Sequence, residues 1–387
     1  MKVLVIIPYL GLSYGGPPRV VLELAQSLGS AGLNVDILST NANNGKDLDV
    51  SSRCWHQYPT HRIQYFRACH RGDQAFSLSL IQWLVRYLKN YDIVHTHTLF
   101  SPLLCSIHTL CRFYNIPYIM TPHGMLDPWP LAHKASKKRV FYNRLEKPAL
   151  KHASAIQVLS SFENEQIRHL GHKNTVLVPN GIHASNFLSL PDPDVFYGEF
   201  PHLRIKRLIL FLGRIDPKKG LDLLAPGFAQ LHNAFPDTHL VIAGPDLIDF
   251  TPTVREYFSQ LNCLDAVTFT GMLTGELKYA ALAAASLYVA PSYSEGFSMS
   301  ILEGMAAGLP CVFTEGCNFP EAKAAEAAYV VPADSQAIAE ALLKAFRNPE
   351  QSQRIGANGQ KLILDHYTWE KSAQSLATTY QQILAGS

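Results

Sequence analysis

Arg207-Leu-Ile-Leu-Phe-Leu-Gly-Arg-Ile-Asp-Pro-Lys-Lys-Gly220 is the stretch that settles the fold class. An almost purely apolar run of strand length empties into a loop of glycine, proline and charge. Such a run reads as a strand buried on both faces, handing a basic loop out from its carboxyl end. The chain opens the same way, with apolar residues 3–7 leading into Gly11-Leu-Ser-Tyr-Gly15-Gly16-Pro17. Between the two lies Leu190-Pro-Asp-Pro-Asp194, whose composition is that of a linker. The pattern therefore runs once, stops and restarts.

Working outward, strands are expected at 3–7, 34–38, 93–97, 118–120, 155–159 and 175–178. In the second half they are expected at 207–212, 240–243, 267–270, 287–290, 311–314 and 329–331. Helical spacing fills the gaps, at 20–29 and 78–89 among others, and from about 334 the text is helical, ending in a helix over 369–384. Strands alternating with helices imply an α/β protein of two successive doubly wound units, facing each other across a cleft. Ligands of such sheets bind at the carboxyl ends of the strands, so residues just after strands carry the information. No repeat or low-complexity tract interrupts the chain.

Composition narrows the function. With 387 residues, 47% hydrophobic and only 17% charged, the chain is built to bury cores rather than to remain disordered. A net charge of +2 gives no general attraction to nucleic acid, so any anion site must be local. Seven cysteines without a Cys-x-x-Cys pair argue against a disulfide framework or structural zinc and point to a reducing, cytoplasmic setting. The apolar run of Met1-Lys-Val-Leu-Val-Ile-Ile-Pro8 stops at the proline with no cleavage pattern, which suits a first strand better than a leader. No run of about 18 apolar residues could span a membrane.

Three loops after strands carry candidate chemistry. Gly15 and Gly16 allow close backbone approach, and the helix that comes next offers N–H groups to a phosphate. The spacing is not the dinucleotide fingerprint, and a simple glycine turn is the plainer reading. Arg214 and Lys219, flanked by Gly213 and Gly220, can clamp a diphosphate with a planar fork and a point charge. A solvated basic loop is the alternative. The third is Glu295-Gly-Phe-Ser-Met-Ser-Ile-Leu-Glu303, with a helix expected over 300–307. Carboxylates at 295 and 303 suit vicinal hydroxyls, and an unpaired Glu303 among Ile301, Leu302 and Met305 would be costly.

Histidines are read more plainly. His95 and His97 share a strand face, but no third ligand supports a metal site. His123 in Thr121-Pro-His-Gly124 and Asp127 follow a strand and can reach a ligand, or can be a packed histidine and a turn aspartate. Asp47-Leu-Asp49 has the spacing of a metal-holding acidic pair but sits in a polar stretch, so no metal is required. Residues 133–151 carry Lys134, Lys137, Lys138, Arg139, Arg144, Lys147 and Lys151 against one acid, Glu146. Val140, Phe141, Leu145 and Ala149 recur at helical spacing until Pro148 disturbs it, giving a basic amphipathic helix for an anionic membrane or a helix packed on its own domain.

Taken together, these residues resemble the retaining glycosyltransferases of the GT-B fold, more narrowly family 4 (glycosyl transferases group 1), over nearly the whole chain. The strongest markers are the Glu295/Glu303 spacing, Arg214 with Lys219, and Val178-Pro-Asn-Gly-Ile182. The resemblance implies Rossmann-like domains over 1–185 (acceptor) and 186–365 (nucleotide sugar), with a helix over 366–387 returning to the first. It implies that Arg214 and Lys219 bind the donor diphosphate, that Glu295 contacts sugar hydroxyls and Glu303 the ribose, and that Gly296, Phe297 and Ser298 line the donor. Gly15 and Gly16 would approach the diphosphate, His123 would line the sugar pocket and share the catalytic role, and His97 and Asp127 would lie on the acceptor side. Ser298 and Gly244-Pro-Asp246 depart from the usual pattern, leaving sugar choice open.

The implied activity moves a hexose from a nucleotide-diphosphate sugar to a glycan or lipid-linked acceptor in polysaccharide or lipopolysaccharide synthesis, with no cofactor and no nucleic acid. Two rivals share the architecture. A sugar-nucleotide epimerase would act without an acceptor, and a non-catalytic two-lobed sugar-binding protein would have no use for phosphate-binding cations.

Overall fold

The structure is a computed structural model, and it describes residues 1–11, 14–43, 45–71, 74–127 and 135–386. It divides into two compact units, Met1–Gly181 with Trp369–Ser387, and Ile182–Thr368. The changeovers thus fall after 181 and 368, a few residues from the 185 and 365 expected from sequence.

The first unit holds an eight-stranded sheet. Its strands are β1 (Lys2–Tyr9), β2 (Asn34–Thr40), β3 (Trp55–Gln57), β4 (His61–Phe66), β5 (Ile93–His97), β6 (Tyr118–Thr121), β7 (Ala155–Val158) and β8 (Thr175–Leu177). They lie in the order β8-β7-β6-β5-β1-β2-β4-β3, parallel except for β3, which runs antiparallel to β4 at the edge. The second unit holds six parallel strands: β9 (Arg207–Leu212), β10 (Thr238–Ala243), β11 (Val267–Gly271), β12 (Ala285–Ala290), β13 (Cys311–Thr314) and β14 (Tyr329–Val331). Their order is β11-β10-β9-β12-β13-β14.

Both orders reverse direction beside the unit's first strand, between β1 and β5 and between β9 and β12. That reversal is the switch point of a doubly wound sheet, where the flanking loops part and leave a crevice. Strand β9 shows why its sequence is apolar throughout. Leu208, Leu210 and Leu212 enter one core cluster while Ile209 and Phe211 enter the other, so helices cover both faces. Each such side chain, fully buried, contributes about 1.5–3 kcal/mol. In the first unit Leu4, Ile6, Val94, Met120 and Ile156 build one comparable layer.

The last helix, Trp369–Ala385, belongs to the first unit. Trp369 Nε1 donates to Glu23 on helix Gly16–Ser30 at 2.6 Å, and Ser372 donates to the Pro179 carbonyl at 2.7 Å.

No strand is expected over 55–66, yet β3 and β4 lie there, because His61-Arg-Ile-Gln-Tyr-Phe66 mixes polar residues into a strand near the sheet edge. In the basic stretch 133–151, residues 128–134 lie outside the described residues, so His133 and Lys134 have no structural account. The described part is helical throughout: helix Ala135–Phe141 widens into a π-helical segment, Tyr142–Glu146, and continues as helix Lys147–His152. The widening falls directly before Pro148, whose missing N–H disturbs the regular ladder. Glu146, the one acid of the stretch, is fully buried and accepts the Phe100 N–H at 2.6 Å. Burial pushes its carboxyl up to about 7 against that N–H. Val140 and Leu145 stand exposed.

Candidate functional site

The loop after β9 begins with Gly213 and Arg214 and curls through a short helical turn, Pro217–Lys219. Asp216 caps that turn by accepting the Lys218 N–H at 2.8 Å. Gly220 then adopts a φ of 68°, and a Cβ there would sit 2.0 Å from the Pro291 carbonyl oxygen. Only glycine lets this loop press against the end of β12, and the press puts Lys219 beside the loop that leaves β12.

Across the switch point, Lys219 Nζ donates to Glu295 Oε1 at 2.6 Å, and Ser292 Oγ donates to the same oxygen at 2.7 Å. Glu295 is held from behind as well. Its N–H donates to the Gly316 carbonyl at 2.7 Å, and its carbonyl accepts from Asn318 Nδ2 at 2.6 Å. Burial would raise the Glu295 carboxyl, but the Lys219 ammonium and the Ser292 hydroxyl outweigh it and hold the group below the usual carboxylate range. Glu295 is therefore an anion with one oxygen engaged. Among the described residues nothing donates to Oε2, which leaves it to accept a ligand hydroxyl.

Lys219 has three donors and gives one to Glu295, so the others can address an oxyanion. Arg214 is 46% exposed and lies 3.7 Å from Asp216, an ion pair too long for a hydrogen bond, so its fork is open to a ligand. Helix Met299–Ala306 starts just past Gly296, Phe297 and Ser298, and Ser298 does not cap it. Its first N–H groups thus add to the positive field. Phe297 stacks on Tyr367, with ring centroids 6.1 Å apart.

Glu303 lies inside that helix, buried, and pairs with Lys278 Nζ at 2.7 Å. Sequence reasoning misses Lys278. It lies on helix Gly275–Ala284, buried between alanines and leucines, and the one clue is that Glu303 demands a partner.

In the first unit, the corresponding corner is built of glycines and imidazoles. Gly15 takes a φ of 91° immediately before helix Gly16–Ser30, and nothing lies within 4 Å of a Cβ placed on Gly15 or Gly16. Pro17 and Pro18 occupy the first turn, so the N–H groups there are few. His97, at the end of β5, hydrogen-bonds through Nδ1 to His123 Nε2 at 3.0 Å. Burial drives both imidazoles well below the ordinary histidine value, His123 to about 3. Both are neutral at pH 7, and His97 Nε2 is buried without a partner among the described residues.

His123 and Gly124 carry positive φ in succession, 56° and 71°. For a histidine this is a strained conformation that its surroundings must hold. Glu163 does so, accepting the Gly124 N–H at 2.6 Å and the Leu159 N–H at 2.7 Å. Asp127 is buried in the same turn, with its N–H on the Gly124 carbonyl at 3.2 Å.

His95 is committed elsewhere. Thr121 donates its hydroxyl to Gln157 Oε1 at 2.8 Å, so His95 Nε2–H must donate to Thr121 at 2.7 Å. Nδ1 then accepts from Tyr380 at 2.7 Å. With both nitrogens engaged, His95 has no lone pair for a metal. Among the described residues no three His, Cys, Asp or Glu gather to hold one, and Asp47 is an exposed residue of a two-residue strand.

Comparison with known proteins divides along the same two halves. Residues 200–362 match the family profile described as Glycosyl transferases group 1, and residues 14–186 match Glycosyltransferase Family 4. The chain is 28% identical over 396 residues to phosphatidyl-myo-inositol mannosyltransferase of Mycobacterium leprae (strain TN), covering 99% of this chain and 97% of that protein. It is 24% identical over 397 residues to mannosylfructose-phosphate synthase of Agrobacterium fabrum (strain C58 / ATCC 33970), covering 94% and 85%. Among solved structures, Anabaena Alr3699/HepE in complex with UDP superposes with a TM-score of 0.79 at 18% identity, covering 99% and 100%.

Proposed function

From the premise that this chain belongs to the family 4 glycosyltransferases of the GT-B fold, we propose that it takes a hexose from a nucleotide-diphosphate sugar and passes it, with retention, to a glycan or lipid-linked acceptor. The observation that carries this reading is the Lys219–Glu295 pair at the switch point of the second sheet, with the open Arg214 fork beside it.

The chemistry needs those groups. Departure of the diphosphate builds negative charge on its oxygens and positive charge at the anomeric carbon. Arg214, Lys219 and the first N–H groups of helix Met299–Ala306 meet the negative charge without having to reorganise. They supply what a divalent ion would otherwise supply, so the reaction proceeds without metal. Glu295 Oε2 takes a sugar hydroxyl and fixes the ring, with Gly296, Phe297 and Ser298 lining it. Glu303, held by Lys278, addresses the ribose. No side chain here is an obvious covalent nucleophile, which favours attack from the face the diphosphate leaves, with a leaving oxygen taking the acceptor proton. Neutral His123, on a held backbone, offers a hydrogen bond to the sugar, while His97 and Asp127 serve the acceptor side and Gly15 and Gly16 the diphosphate.

The named relatives act on a phosphoinositide lipid and make a sugar phosphate, which supports a hydroxyl-bearing acceptor next to phosphate. No helix among the described residues is long and apolar enough to cross a membrane. Contact with an anionic bilayer would instead use the described part of 133–151, where exposed Val140 and Leu145 stand among basic residues. A polysaccharide or lipopolysaccharide product at the cytoplasmic membrane face fits that placement.

A thermal-shift series with UDP-, GDP- and ADP-hexoses tests the reading, because a ligand bound only by folded protein raises the melting point. One nucleotide sugar should raise it in wild type and not in Arg214→Ala. No shift with any of them would overturn the assignment. Consumption of that donor with no acceptor present, giving an epimerised nucleotide sugar, would place the chain with the epimerases instead.

A further inference from the structure

The first unit holds a second cavity that the transfer reaction does not use. Its volume is about 890 Å³, and it lies where helix Leu78–Tyr87 crosses the β3–β4 edge of the sheet. Lys2 opens β1 and Asn90 and Tyr91 precede β5, while Arg62, Gln64 and Phe66 carry the cavity along the length of β4. Strands β1 and β2 lie between β4 and β5, the strand that ends in His97.

Its lining combines three chemistries. Trp55, Phe66, Trp83, Tyr87 and Tyr91 form an aromatic wall, with Trp83 in ring contact with each of the others. Among the described residues four cations line the space, Lys2, Arg53, Arg62 and Arg86, and no acid does. Arg62 is spoken for, since buried Asp36 accepts from both its Nε and its Nη2 and its guanidinium lies 4.1 Å over Trp55. Arg53 and Arg86 have no ion pair among the described residues. The third element is Gln64, only 4% exposed, whose Oε1 is buried without a donor. A buried acceptor left open costs free energy unless something donates to it.

We propose that this cavity binds an anionic saccharide, a sugar unit bearing a carboxylate or phosphate. The C–H face of a pyranose packs on indole and phenol rings, its hydroxyls meet the Gln64 amide, and its acid group meets Arg53 and Arg86. A neutral glycan leaves the guanidinium groups unanswered. An inorganic anion leaves the aromatic wall and Gln64 unanswered. The cavity size is that of sites for ligands of a few rings. Occupied by a charged segment of a glycan, it would grip the chain far from the reacting end, and the binding itself does not depend on the transferase reading.

Tryptophan fluorescence of the full-length protein tests this, since Trp55 and Trp83 line the site. The probes are a tetrasaccharide alternating glucuronate with N-acetylglucosamine, mannose 6-phosphate, maltotetraose as neutral control, and UMP. At least one acidic probe should bind, maltotetraose should not, and Arg53→Ala/Arg86→Ala should weaken the acidic probe at least tenfold. Gln64→Leu should weaken it as well with the melting point little changed. Binding should persist in Arg214→Ala, which separates this site from the donor site. Failure of both acidic probes, undiminished binding by the double variant, or loss of binding in Arg214→Ala would each overturn the proposal. Tighter binding of UMP than of either acidic sugar, abolished by the double variant, would replace it with a nucleotide site.

Discussion

The two switch points share a reversal of strand order beside the unit's first strand and differ in the charge around it. In the second unit the crevice between β9 and β12 is flanked by the Lys219–Glu295 ion pair and the open fork of Arg214. In the first, the crevice between β1 and β5 is flanked by glycines and by two imidazoles that burial keeps neutral. The topology fixes where a ligand can sit. The loops decide what it meets, a charged grip in one case and neutral donors on a strained backbone in the other.

The contrast breaks most visibly at the charged corner. Replacing Arg214 by Ala should reduce transfer about 10²–10³-fold, the cost of removing one preorganised donor from a developing anion. Steady-state kinetics with matched circular dichroism reads this, and near-normal turnover would remove the charge from the explanation.

Lys219→Met strands Glu295, so stability should fall by about 3 kcal/mol, as when one partner of a buried pair is lost. Its pKa should rise once the ammonium that holds it down is gone. The exposed pair Lys323–Glu315, 3.4 Å long, provides the contrast, and Lys323→Met should change stability by less than about 0.5 kcal/mol. Urea unfolding of the two variants measures the difference.

The neutral corner should show in acid. His95, His108 and His123 sit at about 3 in the folded state because burial disfavours their charged forms. The unfolded chain takes up their protons below about 6.5, so stability is complete above that pH and is lost as pH falls toward 3. Each such imidazole should cost on the order of 2 kcal/mol at pH 5. Glu295 behaves differently. Its folded value is depressed, so its contribution is lost only below the ordinary carboxylate range. All four tryptophans, at 55, 83, 129 and 369, belong to the first unit, so denaturation followed by their fluorescence reads that unit. Its urea midpoint should drop between pH 7 and pH 5, and His95→Gln should flatten the drop.

The smallest effect concerns the strap on the strained turn. Glu163→Gln keeps one acceptor and loses the other, so stability should fall by about 1–2 kcal/mol. Its carboxyl is raised to about 6 by burial despite the Leu159 and Gly124 N–H groups, so protonation as pH falls through that value relieves the cost of the buried charge and adds to stability. Glu163→Ala at neutral pH should cost more than Glu163→Gln, again by urea midpoint.

Much of this is legible in the sequence wherever a strand is buried on both faces. The expected bounds of β9 and β13 match the structure residue for residue, because helices on either side leave nearly every position apolar. Legibility fails at the β3–β4 edge of the first sheet. The polar residues of β4 serve specific partners, as Arg62 serves Asp36, and such pairing has no signature in local spacing. The same limit applies to the site. Arg214, Lys219, Glu295 and Glu303 stand out because charge at a strand end or inside an apolar helix needs a reason. Lys278, Ser292, Asn318 and Glu163 do not, since each acts on a residue distant in sequence or on a backbone group. Glu146 misleads for a related reason: among seven basic residues it reads as surface charge, yet it turns inward to the Phe100 N–H.

The most direct measurement is calorimetric titration of UDP and GDP into wild type and Arg214→Ala, each with and without EDTA. One nucleotide should bind wild type equally well in both buffers and at least tenfold more weakly in the variant. Affinity that vanishes with EDTA, or that is the same in Arg214→Ala, would contradict a diphosphate held by fixed protein cations.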